Sequence, residues 1–430
     1  MASDAGNPAK KTKDEEEKPT NFLDALPREV AVGIISRLPI RSLIQSRFVC
    51  KFWRELSCDP HLVNLHLCRV LKSNNPCFIF HCDVPIKNHL YFVESLNQKE
   101  DVDGSIKLEK LRRIDAPFSD SVPEFNVIGS CNGIICLEDS LFEEALYLYN
   151  PFTQDYAKLP KSRVFEDQVV MYGFGFHPVT NEYKVIKIAF YPSTLDMNAA
   201  LSFRRFARQR NAKSDVQIFT LGSDRWRSIG STPFVFQRRS SPVLLNGRLH
   251  WTTVYDSYNG RPDRLIVSLD IADEKFREIP GPELNHRMSR QNYHLAVLVE
   301  NLCVAVPMAS VSGTLDVWVM KEYNRKESWV KEMKIPIYTP SLKTREYSRS
   351  YGIWRNVLVG KVVRVVCLLS NGDILLEYKG GLLVSYNQDT GMFRDITFPG
   401  LPNPCKLIVH VGTLNRVMAP SEILTQPTLA

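Results

Sequence analysis

From about Pro76 to near the C-terminus, apolar and polar residues alternate with a period of two, broken by Gly, Asn and Asp turns. That period sends successive side chains to opposite faces of an extended chain, so it predicts strands with no helix between them. Two kinds of hairpin recur in turn. The first sets an Asn-Gly pair between apolar strands, at Cys131-Asn132-Gly133-Ile134, Leu245-Asn246-Gly247-Arg248 and Ser370-Asn371-Gly372-Asp373. Asn-Gly accepts the positive φ that a tight hairpin turn needs. Looser turns at Val179-Thr180-Asn181-Glu182 and Val299-Glu300-Asn301-Leu302 occupy the same slot. The second kind is an alternating strand, a polar turn and then an aromatic. It runs from Leu146 to Tyr156, Val216 to Trp226, Leu265 to Phe276, Leu315 to Trp329 and Leu382 to Phe393.

These second hairpins start at 146, 216, 265, 315 and 382, at intervals of 70, 49, 50 and 67 residues. Two hairpins are four strands, and four strands per roughly 50 residues is the spacing of kelch-like propeller blades. Five blades are countable. A sixth combines strands near Phe78 to Phe80 and Leu90 to Val93 with Leu407 to Val411, which closes the ring. Closure by radial repetition hides sheet edges. The aromatics that recur once per blade are read as packing between blades.

Ahead of this region the period is that of a helix. Pro27 suits a first helical position, and Val30, Ile34, Ile35 and Leu38 follow at spacings of three to four. Pro39 stops that helix, because proline disfavours helical geometry in the residue before it. Further helices are expected over Arg41 to Ser46 and Val49 to Ser57, with Val49, Phe52, Trp53 and Leu56 on one side of the latter. Asp59-Pro60 opens another helical turn. So small a unit buries little surface by itself and is expected to complete its core against a partner. Residues 1–20 hold four lysines, five acids and four hydrophobic residues, which predicts a disordered tail. The predicted architecture is a multidomain α+β chain: tail 1–20, helical unit 21–70, all-β propeller 76–415 of about six blades, and a flexible tail 416–430.

Composition narrows the function classes. The chain of 430 residues is 44% hydrophobic and 23% charged, with a net charge of +7. That balance does not call for nucleic acid or anionic lipid as a partner. The longest uncharged apolar stretch, Asn126 to Leu137, falls short of the roughly 20 residues of a membrane span. No apolar leader follows Met1, so the expectation is a chain without a secretory signal, in the cytoplasm and/or nucleus. Lys10, Lys11 and Lys13 are read as part of a solubilising tail rather than a nuclear signal. The ten cysteines are expected to be reduced and mostly buried. Cys77, His81 and Cys82 lack a second ligand pair at usable spacing, so no metal is expected. Gly173-Phe174-Gly175 has Pro178 where a dinucleotide-binding motif needs its third glycine. No nucleophile elbow, zinc-protease helix or phosphate loop occurs, and no catalytic residue or cofactor is expected.

Over residues 22–62 the sequence resembles the F-box. The residues that carry the match are Leu26-Pro27, Glu29, Ile34-Ile35, Arg37-Leu38-Pro39, Arg41-Ser42-Leu43, Arg47, Val49-Cys50-Lys51, Trp53, Leu56 and Asp59-Pro60. Gly129 to Gly133, Tyr149 to Thr153, Tyr172 to Phe176 and Asn246 to Trp251 resemble the plant F-box-associated propeller. Gly33 stands where the family usually has a helix former, and His61-Leu62 replaces the commoner ending with phenylalanine. The resemblance implies a substrate receptor of an SCF-type cullin–RING ubiquitin ligase. It implies that Leu26, Pro27, Ile35, Leu38, Pro39, Leu43, Val49 and Trp53 serve docking on a Skp-family adaptor, with Trp53 chiefly an internal anchor. Cullin and RING protein would be reached through that adaptor.

The propeller would then capture a protein substrate. The longest irregular stretches run from Pro192 to Ser214, Val254 to Asp263 and Tyr338 to Trp354. They carry Arg204, Arg205, Arg208, Arg210, Tyr255, Tyr258, Arg345 and Tyr347. Arginine and tyrosine are enriched at interface hot spots, so these are the candidate substrate contacts. Two other readings stay open: a propeller scaffold working outside a ligase, and a propeller enzyme with carboxylates converging on the ring's centre.

Overall fold

A computed structural model describes residues 26–72, 76–82, 89–96, 99–100, 106–107, 111–141, 145–192, 213–237, 241–254, 256–258, 261–284, 293–308, 313–336, 338, 363–378, 381–398, 400–401 and 405–417. The chain divides into two compact units, Met1–Arg69 and Val70–Ala430.

Among the described residues, four helices make the first unit: α1 Arg28–Ile35, α2 Ile40–Ser46, α3 Lys51–Leu56 and α4 Pro60–Lys72. Pro27 and Pro39 are caps rather than first helical residues, each with extended ψ, and the Pro27 carbonyl accepts from the amides of Val30 and Ala31. The helix after Val49 is shorter than expected and leaves Val49 outside it, while the turn at Pro60 grows into α4. Asp59 ties the two ends of the unit together. Its carboxylate accepts from Arg28 at 2.7 Å and from the amide of His61 at 2.8 Å. Ala31, Val32, Ile35, Ile40, Leu43, Leu56 and Leu62 form the core.

The second unit is a propeller of six four-stranded antiparallel sheets, with two short two-stranded ribbons besides among the described residues. Blade 1 joins both ends of the unit, in the order Cys405–His410, Cys77–Cys82, His89–Val93, Arg112–Ile114. Blades 2 to 6 are consecutive and begin with strands Phe125–Cys131, Val169–His177, Val243–Leu245, His294–Leu298 and Val363–Leu368. The six apolar cores lie one between each pair of neighbouring blades. Ile79 and Phe92 pack with Phe125 and Tyr149 on one side of blade 1, while Phe78 and Phe80 pack with Leu375 and Leu383 of blade 6 on the other. Because both faces of a blade are covered, strand Cys77–Cys82 is buried at every position. Burial on the order of 25 cal/mol per Å² of apolar surface makes these seams the main source of stability.

The expected hairpins are where the alternation puts them. Asn132 and Gly133 have φ of 46° and 85°, Asn246 and Gly247 of 51° and 69°, and each pair joins a blade's first and second strands. Tyr156, Phe276, Trp329 and Phe393 open fourth strands, and Trp226 lies one residue ahead of another. Two of these aromatics reach back to the preceding blade's exit: Trp226 Nε1 donates to the Pro160 carbonyl and Trp329 Nε1 to that of Pro280, both at 2.7 Å. Packing also explains Gly173 and Gly175. A Cβ at Gly173 would stand 2.8 Å from Trp251, and one at Gly175 2.7 Å from Ile271.

Ring closure follows the sequence reading, with Leu407 opposite Phe80 in an antiparallel ladder. Three features were not foreseen. Cys82 and Cys405, expected to be separate thiols, are disulfide-bonded across that ladder, a pairing hidden by their 323-residue separation. Lys213, assigned to an insertion, begins a strand opposite Tyr191. The fold also runs past residue 415: Val417 is 1% exposed, in the core between blades 2 and 3. Between strand and Val417 the chain is strapped to blade 2. Asn150 Nδ2 donates to the carbonyls of Thr413 and Asn415 at 3.0 and 2.6 Å, and Asn415 Nδ2 donates to the Asn132 carbonyl at 2.9 Å.

Candidate functional site

Two surfaces stand out, one on each unit. Helix α1 carries two apolar stripes. Ala31, Val32 and Ile35 point inward, whereas Val30 and Ile34, one turn apart, are 46% and 49% exposed. The sequence reading put Val30, Ile34, Ile35 and Leu38 on one inward face. The structure turns that face by about 100° per residue, so Ile35 alone of the four is buried and Leu38 is half-buried. In the turn between α2 and α3, Phe48 and Val49 are 80% and 60% exposed. Exposed apolar side chains are a candidate for contact with another protein where they form one contiguous patch.

The residues named for adaptor docking therefore fall into three groups. Ile35 and Leu43 are inside the core, Leu26, Leu38 and Trp53 are half-buried, and Pro27, Pro39 and Val49 are exposed. Trp53 Nε1 is buried without a partner among the described residues. Phe48, the most exposed large apolar residue described in the helical unit, was missed because it stands outside any helical period. Beneath this surface, Arg69 Nη1 donates to the Gly33 carbonyl at 3.0 Å, and the His66 ring contacts the Leu38 carbonyl at 3.2 Å. Burial lowers the His66 pKa, so its imidazole stays neutral. The Arg28 hydrogen bond lowers that of Asp59 and keeps its carboxylate charged.

On the propeller, strand direction sorts the connections by face. Both hairpin turns of a blade leave one face, so links from second to third strand and from blade to blade leave the other. The three long stretches run between strand ends Tyr191 and Lys213, Thr252 and Ile266, and Pro336 and Val363. All six ends lie on that second face. The sequence left their faces open; the strand ends that bound them lie on one. Arg204, Arg205, Arg208, Arg210, Tyr255, Arg345 and Tyr347 lie outside the described residues, and Tyr258 ends the short strand Asp256–Tyr258.

Cys77, His81, Cys82 and Lys184 are each held by the fold. Among the described residues no cluster of three His, Cys, Asp or Glu is placed to bind a metal. His81 stacks on Phe125, Cys77 Sγ donates to the His410 carbonyl at 3.2 Å, and Cys82 is bonded elsewhere. The buried Lys184 lies against Glu274 at 2.7 Å, a link between blades 3 and 4.

Comparison with known proteins agrees with both units. Residues 23–68 match an F-box-like domain and residues 77–401 an F-box associated beta propeller domain. An F-box protein of Arabidopsis thaliana is 42% identical over 408 residues, spanning 93% of this chain and 94% of its own. An F-box/kelch-repeat protein and the F-box protein CPR1 of the same plant are 25% and 26% identical, covering 86% and 75% of this chain and 89% and 76% of theirs. Among solved structures, an oligogalacturonate lyase from Vibrio parahaemolyticus aligns at 8% identity with a TM-score of 0.37, over 77% of this chain and 81% of that one; so distant a likeness carries no argument. The chain belongs to the plant F-box proteins that carry an F-box-associated propeller. F-box proteins are generally non-catalytic adaptors, and the F-box implies binding of a Skp-family protein in SCF complexes.

Proposed function

We propose that this chain is the substrate receptor of an SCF-type ubiquitin ligase, working in the cytoplasm, the nucleus or both. The F-box docks a Skp-family adaptor, and cullin and RING protein are reached through it. The propeller holds a protein substrate on the face opposite its hairpin turns and contributes no chemical step. Its effect on rate is then proximity: a bound substrate is kept near a ubiquitin-charged enzyme, which raises effective concentration. The observation that carries this reading is the exposure of Val30, Ile34, Phe48 and Val49 inside the matched F-box.

The test is purification of the tagged full chain under gentle conditions. Stoichiometric Skp-family adaptor and cullin are expected, and Leu26→Ala with Pro27→Ala should remove both while the propeller stays folded. A preparation free of adaptor and cullin would favour the scaffold reading instead. If Arg204, Arg205, Arg208 and Arg210 contact substrate, replacing them with serine should deplete partners other than adaptor and cullin. Unchanged partners at near-physiological salt would remove that assignment.

A further inference from the structure

The closing ladder of blade 1 ends on the pair Cys82 and Cys405, directly opposite one another with Cα atoms 4.1 Å apart. We propose that these two residues form a reversible thiol–disulfide couple that fastens and releases the ring where its two ends meet. Position carries the argument. Their bond joins residues 323 apart, so it turns a closure held by hydrogen bonds into a covalent one. A cross-link restricts the unfolded chain more, the longer the loop it closes.

The fold does not depend on that bond. The same ladder continues through five further residue pairs, from Cys77 opposite His410 to His81 opposite Lys406. Glu377 and Arg364 of blade 6 hold the backbone of Leu407, and the strap through Val417 secures the chain beyond. The dithiol form therefore keeps a closed ring. The couple also occupies the last rung, at the face where Cys82 leaves its strand and Cys405 enters, with His89 opposite Cys82 on its other side, so fraying confined to these three strand ends exposes it. When closed it is sheltered, with Cys82 0% and Cys405 6% exposed. Competing thiols of this unit are quiet. Burial pushes Cys77, Cys131, Cys303 and Cys367 up to about 12, which leaves little thiolate at neutral pH.

Oxidation by a low-molecular-weight disulfide such as glutathione disulfide takes two exchanges. The Cys405 thiolate, the less buried, attacks one sulfur of glutathione disulfide, forming a mixed disulfide and releasing one glutathione thiolate. The Cys82 thiolate then attacks the Cys405 sulfur and releases the second. Two protein thiols give up two electrons and two protons, and glutathione disulfide becomes two glutathione thiols. Excess glutathione thiol reverses both steps.

The test equilibrates the full chain in glutathione buffers of varied thiol-to-disulfide ratio. Samples are quenched with acid, alkylated, digested and analysed for the linked Cys82–Cys405 peptide, with thermal unfolding followed in parallel. The linked fraction should follow a single two-electron transition, rising with the disulfide concentration over the square of the thiol concentration. The unfolding midpoint should rise with it by several degrees. Cys405→Ser, and Cys82→Ala as a second variant, should keep the reduced wild-type midpoint and lose its dependence on the buffer. No linked peptide at any ratio would overturn the proposal. So would a link that stays unreduced in the folded chain throughout, or a midpoint indifferent to linkage. The wild-type titration decides the matter even where a variant fails to fold.

Discussion

The carboxylate of Glu377 accepts the backbone N–H of Leu407 at 2.9 Å, across the seam where the last consecutive blade meets the closing strand. Arg364, bonded to the same carboxylate through Nε at 2.6 Å, donates to the Leu407 carbonyl, also at 2.6 Å. One ion pair thus satisfies both backbone groups of a residue that is 1% exposed. Neither group is free to pair with a further strand. Glu377→Ala leaves the amide without its acceptor and Arg364 without its carboxylate, and should cost about 1–3 kcal/mol of stability. Denaturant unfolding of the purified chain measures it. Wild-type stability in Glu377→Ala would show that the ladder alone holds the strand.

The strap makes a separable prediction. Asn150 holds it at two carbonyls, and Val417 plugs the seam between blades 2 and 3. Ending the chain after His410 should lower the unfolding midpoint yet leave a soluble ring, because the closing strand remains. Ending it before Cys405 removes that strand, exposes the edge of Cys77–Cys82, and should produce aggregation. Light scattering with thermal unfolding separates the two. A soluble, cooperative chain ending before Cys405 would contradict closure by this strand.

Acid should loosen the propeller. His250 and His410 are 0% and 1% exposed, and burial lowers them to about 4 and about 3. In the unfolded chain they titrate near pH 6.5. Between those values the unfolded state binds protons that the folded state refuses, so stability is full above about pH 6.5 and falls as pH drops. The slope is up to about 1.4 kcal/mol per pH unit for each imidazole. The midpoint should be nearly level from pH 8 to 7 and decline from 6.5 to 5. A midpoint that rises on acidification would show that these rings are not held neutral.

Local chemistry was legible in the sequence, and long-range pairing was legible only where symmetry demanded it. Asn132-Gly133 and Asn246-Gly247 announce their turns because few residue pairs accept positive φ at both positions. Trp226 and Phe276 announce blades because their spacing repeats. Leu407 could be paired with Phe80 because a ring must close. Nothing local links Cys82 to Cys405, Glu377 to Leu407, or Val417 to the seam it fills. On α1, both Ile34 and Ile35 are apolar, and which faces inward is decided by the other helices rather than by periodicity. That the strand ends bounding the three long stretches share one face follows from strand direction, which residue type alone does not reveal.

Affinity for a purified Skp-family adaptor, measured by calorimetry on the full chain and its variants, tests the account at its centre. Ile34→Asp and Val49→Asp alter side chains that are 49% and 60% exposed, so their unfolding midpoints should match wild type. Each should nevertheless weaken adaptor binding by about 2 kcal/mol, roughly 30-fold. Leu43→Ala, at a side chain that is 0% exposed, should lose about 2–5 kcal/mol of the helical unit's stability, and binding only in consequence. Adaptor affinity unchanged in both aspartate variants, with the fold intact, would contradict the assignment of this surface and of the chain's role in the ligase.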